Sequence, residues 1–224
     1  MIILDFGSGN TCKNDLNYVK RMMDELKAVD TGKHEIVIKW QLFHEAGDNI
    51  PLDQSLFSSA YVYALEQGYK TTASIFDKYS LAFLMRHDIP FVKIANRPDL
   101  YWLAGEVPRK MPIIMSVSEI IDEYTPLLEG NYLLKKDAGY LQLLCCVSEY
   151  PATWQQYADR FTTNDYPGGS AEWLVHGISD HTTDFTLYHK YKPEIYECHY
   201  KLEDSTGLDS GDFARTPEQL AEIL

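Results

Sequence analysis

The apolar runs of this chain give out again and again on residues suited to handling anions and metal ions. "IILDF" (2–6) carries Asp5, "EIVIKWQ" (35–41) carries Lys39 and Gln41, and "KTTASIF" (70–76) carries Ser74. "FVKIAN" (91–96) holds Lys93 and Asn96 with Arg97 next, and "PIIMSV" (112–117) holds Ser116. "YLQLLCCV" (140–147) is followed by Ser148 and Tyr150, "EWLVHGIS" (172–179) ends at Ser179 with His181 just beyond, and "EIYECHY" (194–200) contains Glu197 and His199. A single lysine in an apolar strand ordinarily turns its ammonium out to water. Two of them at equivalent points of two strands, Lys39 and Lys93, read instead as an inward pair. Burying two ammonium groups is costly without anions. Asp5 and Glu197 could compensate them, or a phosphate or carboxylate ligand could. His181 and His199 close consecutive strands, and neighbouring strands lie about 5 Å apart. Their imidazoles could share one divalent ion with a carboxylate such as Glu197, Asp209 or Asp5. The other histidines (His34, His44, His87, His176, His189) fall in loops or helices and read as structural.

Something must bring those run ends together. The eight runs are rich in β-branched and aromatic residues and several are almost continuously apolar, as parallel strands covered on both faces are. Helical stretches alternate with them. "KNDLNYVKRMMDELKAV" (13–29) spaces Leu16, Val19, Met22, Met23 and Leu26 on one face, with Asn14 or Asp15 as cap. "PLDQSLFSSAYVYALEQG" (51–68) opens on proline and closes on Gly68. "DKYSLAFLMRHD" (77–88) and "SEIIDEYTPLLEG" (118–130) follow the same logic, with Pro126 ending or kinking the latter. The piece near "DLYWLAGE" (99–106) is short, and "TPEQLAEIL" (216–224) starts a last helix on a threonine cap. "FTTNDYPGGS" (161–170) is a loop by composition. Eight strand–helix units without linkers predict a compact (β/α)8 TIM barrel, one domain over 1–224, with a doubly wound open sheet as the rival. In such a barrel function gathers at the carboxyl ends of the strands, where these polar residues stand.

Bulk composition narrows the partners. A formal net charge of -13 repels nucleic acid and anionic membranes. A small anion could bind only where cations are gathered locally. Four cysteines, two of them adjacent (Cys145, Cys146), show no metal or disulfide spacing and read as reduced thiols of a cytoplasmic protein. The segment "MIILDFGSGN" lacks the features of a signal peptide, and no run has the length of a membrane span.

These residues resemble the catalytic barrel of the sialic acid synthases, which condense phosphoenolpyruvate with an N-acetylated amino sugar. "IKWQLF" resembles that family's K-x-Q-x-[FH] strand, and "FVKIANRPDL" is similar to [AF]-Y-K-I-[AG]-S-G-[DE]. "LLCCVSEYPAT" resembles L-L-H-C-x-S-x-Y-P, "GISDHTTD" resembles G-[YL]-S-D-H-T, and "YECHYKLEDSTGLD" resembles the last strand and its loop. The resemblance implies that Lys39, Lys93, Ser74, Ser116 and Ser179 hold the phosphate and carboxylate of phosphoenolpyruvate. It implies that Gln41 and Tyr150, with Ser148 beside them, line the sugar pocket, and that His181 and His199 ligate Mn2+ or Mg2+. Asp5 stands where the family has glutamate, and Asp209 fits the aspartate of the loop after the last strand.

Departures concentrate on the sugar half. The family's E-I-G-x-N-H reads "DFGSGNTC", its S-T-P-F reads "ASIF" with Ser74, and its S-T-G-M reads "SVSE". Asn96 and Arg97 replace a serine and a glycine, Cys145 replaces a histidine, and the chain stops where the family's C-terminal antifreeze-like domain would follow. An added guanidinium at Arg97 could bind an anion or block the pocket. The expectation is a metal-dependent synthase joining phosphoenolpyruvate to a carbonyl acceptor, with a homodimer left open. Two other readings stand beside it: a binding or structural protein that kept the barrel and lost catalysis, and a Schiff-base aldolase using Lys93 or Lys39.

Overall fold

Eight parallel strands pair in sequence order and close on themselves in the computed structural model, which describes residues 1–44, 47, 49–118, 140–162 and 176–224. They are β1 (Ile2–Asp5), β2 (Ile36–Leu42), β3 (Lys70–Ile75), β4 (Val92–Ile94), β5 (Ile113–Val117), β6 (Leu141–Cys146), β7 (Gly177–Asp180) and β8 (Ile195–His199). β8 hydrogen-bonds β1, with Asp5 level with His199, so the sheet has no edge. This closure excludes the open doubly wound sheet and makes the fold a (β/α)8 barrel.

The helices form where the sequence supplies a face and a cap. In α1 (Leu16–Val29) the Asp15 side chain accepts from the amides of Asn17 and Tyr18, and Val19, Met22, Met23 and Leu26 are buried. Such a cap contributes about 1 kcal/mol. α2 (Gln54–Gln67) begins three residues after Pro51, with Asp53 at its cap position, and ends at Gly68. That glycine adopts φ 88°, a left-handed turn that costs it no Cβ clash. α3 (Lys78–Leu84) is capped by Asp77, α4 (Leu103–Glu106) is a single turn, and α5 (Trp154–Thr162) and α6 (Thr186–Tyr191) flank β7. α7 (Pro217–Leu220) starts with a reciprocal capping box between Thr216 and Gln219. The sequence pattern gives no warning of α5 and α6. All but the first residue of the predicted helix at 118–130, most of the loop at 161–170 and the upstream half of the predicted strand at 172–179 lie outside the described residues. No helix among the described residues is long and apolar enough to cross a membrane.

Two buried layers result. The larger packs helix faces against the outward side of the strands, around Leu4, Ile38, Trp40 and Tyr196. The smaller cluster contains Ile3, Val37, Phe91, Ile114, Leu144 and Ile195. Each of these stands two residues before Asp5, Lys39, Lys93, Ser116, Cys146 and Glu197 respectively, hence on the same face of the chain. The barrel therefore has an apolar floor with a polar layer directly above it, at the carboxyl ends of the strands.

Candidate active site

Alternation alone dictates what the upper layer holds. Side chains two residues above the floor must also point inward, so Asp5, Lys39, Lys93, Ser116 and Glu197 are buried together. Lys39 is level with Asp5 and Thr72, whereas Lys93 is level with Ser74. The two lysines are thus staggered by two residues rather than equivalent, as barrel closure requires. Both nevertheless face in.

Lys39 Nζ lies 2.6 Å from Asp5 Oδ2 and 3.4 Å from Glu197 Oε1, and donates to Ser74 Oγ at 3.1 Å. Lys93 Nζ donates to Ser116 Oγ at 2.7 Å and to the Ile94 carbonyl at 3.2 Å, and lies 3.5 Å from Glu197 Oε1. Ser179 Oγ donates to the same Glu197 oxygen at 3.0 Å. Glu197 therefore sits between two ammonium groups. Burial alone would raise its carboxyl, but Lys39 and Lys93 hold it below the usual glutamate range. Burial likewise opposes ionisation of Asp5, yet Lys39, His199 and the Gly7 amide hold it well below the usual range. Burial works against the Lys39 ammonium too, and Asp5 and Glu197 overcome it, so Lys39 stays charged. Lys93 differs: burial pulls its pKa down, and Glu197 only partly offsets this.

The opposite wall is aromatic and imidazole. His181 Nδ1 lies 2.6 Å from the Val147 carbonyl, which can only accept, so Nδ1 carries the proton. Burial, then the neighbouring His199, bring its pKa down to about 3, so the ring is neutral and Nε2 keeps its lone pair. The His181 and His199 rings are 5.4 Å apart. Tyr150 stacks on the face of His181 at 4.2 Å, and Phe213 meets His199 edge-on at 5.0 Å. Stacking covers the ring face and leaves the in-plane lone pair. Gln41 Nε2 bridges Asp5 Oδ2 at 3.0 Å and Asp209 Oδ1 at 2.9 Å. His199 Nδ1 lies 3.5 Å from Asp209 Oδ1 and 3.7 Å from Asp5 Oδ2.

Three buried atoms here have no hydrogen-bond partner: His199 Nδ1, Asp209 Oδ2 and Glu197 Oε2. Buried polar atoms left unpaired are costly, and carboxylate oxygens and imidazole nitrogens are donor types that a divalent ion takes. The donor types fit such an ion. Among the described residues no three His, Cys, Asp or Glu side chains are gathered as a preformed site.

Every candidate residue from the sequence lines one cavity of about 280 Å³. Asn96 is fixed in its wall, donating to Ser148 Oγ at 2.8 Å and accepting from Tyr101 at 3.0 Å. Arg97 is engaged by its own neighbour: two bonds of 2.9 and 2.7 Å tie its guanidinium to Asp99 at the exposed rim. Its charge is thus paired within the chain, at the cavity's rim. The adjacent cysteines, alike in sequence, part in the fold. Cys145 packs in a cluster behind the sheet, and Cys146, one residue on, lines the cavity. Alternation from Leu144 would have separated them. Burial pushes the Cys146 thiol up to about 11, so it is not a thiolate at neutral pH. Phe76 also lines the cavity and was not singled out by sequence. A wider groove of about 650 Å³ on the outer flank, by α6 and α7, contains none of these strand-end groups.

No curated protein sequence matches the chain. Solved structures do match its fold. The N-acetylneuraminic acid (sialic acid) synthetase of Leptospira borgpetersenii superposes with a TM-score of 0.75 at 22% identity, over 99% of this chain and 80% of that one. Spore coat polysaccharide biosynthesis protein E of Chromobacterium violaceum gives 0.77 at 18%, over 99% and 71%. The corresponding protein of Bacillus subtilis gives 0.69 at 16%, over 99% and 65%. Such identities speak for the fold alone. The family model described as NeuB family matches residues 20–224, a span that includes seven of the eight strands and every candidate residue but Asp5. The chain belongs to the NeuB family.

Proposed function

We propose that this chain condenses phosphoenolpyruvate with a carbonyl acceptor, forming a carbon–carbon bond and releasing phosphate. The observation that carries the reading is the pair of buried ammonium groups, Lys39 and Lys93, converging with Ser74, Ser116 and Ser179 above an apolar floor. Such a concentration of cation and hydroxyl donors, in a chain of net charge -13, suits a small polyanion and little else. Family membership supports the same substrate class.

Lys39 and Lys93 would take the phosphate and carboxylate, and the serine hydroxyls would complete their hydrogen bonds. Glu197 and Asp5 now neutralise these ammonium groups, so an arriving anion competes with them. Gln41, Tyr150, Asn96 and Ser148 would hold the acceptor against C3 of the enol. The enol π pair then bonds the carbonyl carbon, water adds at C2, and phosphate leaves as the ketone forms. One proton of that water ends on the new hydroxyl and the other on phosphate. His181, His199 and Asp209 would hold a divalent ion, Mn2+ or Mg2+, whose contribution when bound is Lewis-acid polarisation of the acceptor carbonyl.

The test is phosphate release followed by 31P NMR, with phosphoenolpyruvate, a panel of aldehydes and sugars, and added Mn2+ or Mg2+. Release that requires both the carbonyl compound and the ion, and that is lost in His181→Ala, is the expected outcome. Binding of phosphoenolpyruvate without turnover on any acceptor would favour a barrel retained for binding. The lowered pKa of Lys93 favours one second reading, a Schiff-base aldolase. Lys39, held as an ammonium by Asp5, is unsuited to that role. Borohydride trapping of a carbonyl substrate on Lys93 would support it, and failure to trap counts against it.

A further inference from the structure

Arg215 is the largest buried cation among the described residues, and it lines none of the strand-end cavity. Its guanidinium instead joins the two loops that follow β7 and β8. Nη1 donates to the Thr182 carbonyl at 2.7 Å and to the Phe213 carbonyl at 2.8 Å, and Nη2 donates to the Asp184 carbonyl at 2.6 Å. Asp180 Oδ2, at 3.8 Å from Nη2, balances the charge, and the guanidinium lies 5.0 Å from the centre of the Phe185 ring. The backbone of Arg215 does a second job, donating its amide to the His199 carbonyl at 2.8 Å. One residue therefore grips the chain immediately after His181 through its side chain and the end of β8 at His199 through its backbone. It also sets the carbonyl of Phe213, whose ring packs on His199 and lies 4.9 Å from that of Tyr150.

We propose that Arg215 is a positioning residue that fixes the separation and orientation of His181 and His199, so that the imidazole wall of the cavity is set from behind by one planar fork. A flexible ammonium could not replace it. Three carbonyls from two loops need donors at fixed angles, which a guanidinium presents and a lysine does not. The anion half of the cavity depends little on this device, because Lys39, Ser74, Lys93 and Ser116 hang on β2 to β5, two strands or more from β7 and β8; only Ser179, on β7, stands beside the loop that Arg215 holds.

The inference rests on the proposed metal role of the two histidines for its consequence, but its geometry can be tested apart from that role. Arg215→Lys and Arg215→Met are compared with wild type by circular dichroism, by binding of Mn2+ alone, by binding of phosphoenolpyruvate alone, and by 1H–15N NMR of the imidazole rings. Folded variants are expected to bind Mn2+ about 10–100-fold more weakly, as when a group behind a metal ligand is lost. Phosphoenolpyruvate affinity is expected to stay within about twofold of wild type, and the His181 and His199 ring signals to shift. If Arg215→Met does not fold, Arg215→Lys, which keeps the charge beside Asp180, carries the comparison. Unmoved ring signals with unchanged Mn2+ affinity would overturn the proposal, as would equal losses for both ligands, which indicate general damage. If wild type binds no Mn2+, the metal reading fails and the ring signals alone decide the role of Arg215.

Discussion

Replacing Lys39 by methionine keeps the length of the side chain and deletes its charge, leaving Asp5 and Glu197 buried with one fewer cation. Asp5 loses a 2.6 Å ion pair and keeps the Gly7 amide at 2.9 Å, Gln41 at 3.0 Å and the His199 imidazole at 3.7 Å. Glu197 keeps Lys93 at 3.5 Å. Removing one partner of a buried pair typically costs about 3–5 kcal/mol, because the other charge is left uncompensated. For a chain of this size that is roughly 6–20 °C in Tm. The pH dependence is the sharper readout. In wild type the Asp5 carboxyl is held below its unfolded value of about 3.9. Its contribution is therefore complete above that value and is lost as the pH falls through the acid range. In Lys39→Met the strongest opposing charge is gone, and burial, set only against His199 and the Gly7 amide, is expected to lift the folded carboxyl above the unfolded one. Protonation then favours the folded state, and the deficit shrinks as the pH is lowered from about 7 toward 5. Urea unfolding followed by circular dichroism at several pH values measures both slopes. The double variant Asp5→Asn/Lys39→Met is expected to recover part of the loss at neutral pH. Parallel slopes for wild type and Lys39→Met, or a deficit under about 1 kcal/mol, would refute the coupled network.

Further outcomes can be checked singly. Lys93→Met removes a charged donor to the proposed anion, a loss of about 1.5–3 kcal/mol; calorimetry should show phosphoenolpyruvate binding weakened roughly 10–100-fold, and an affinity within twofold of wild type would remove Lys93 from the anion site. Arg97→Ala deletes an exposed pair with Asp99, so stability should fall by less than about 1 kcal/mol with phosphoenolpyruvate affinity almost unchanged; a tenfold loss of affinity would mean that Arg97 reaches the ligand after all. Gly177→Ala places a Cβ 1.9 Å from the Ile195 carbonyl oxygen, backbone against backbone; a loss of at least about 1–3 kcal/mol is expected in thermal unfolding, and a neutral variant would contradict the packing of β7 on β8.

The barrel was legible because parallel strands buried on both faces leave long apolar runs, and because caps such as Asp15, Asp77 and Thr216 mark helix starts by chemistry that is local in sequence. Site residues were legible for a related reason. A lysine, a glutamate or a histidine at the end of a buried strand has few tolerable environments, so Lys39, Lys93, Glu197 and His199 announce a polar layer without coordinates. The nine-residue α5 and the six-residue α6, the latter with no side-chain cap, were not, since each is too short for period and cap to mark it.

Which partner each charge takes was decided only in three dimensions. Sequence spacing put Lys39 and Lys93 at equivalent points; barrel stagger set them two residues apart and gave Asp5 to one and Ser116 to the other. Arg97 could, by sequence, bind an anion or block the pocket; the fold pairs its guanidinium with Asp99, two residues on. Cys145 and Cys146 read alike, and the pleat put them on opposite faces. Arg215 drew no notice as one basic residue near the end of the chain, and its place behind both histidines depends on closure of the ring between β7, β8 and the last loop. Composition and period act through neighbours a few residues apart, so the sequence alone determines the strands, the capped helices and the polar strand ends. Pairings such as Lys93 with Ser116, 23 residues apart, and Lys39 with Glu197, 158 apart, depend on closure and register, and those belong to the folded barrel.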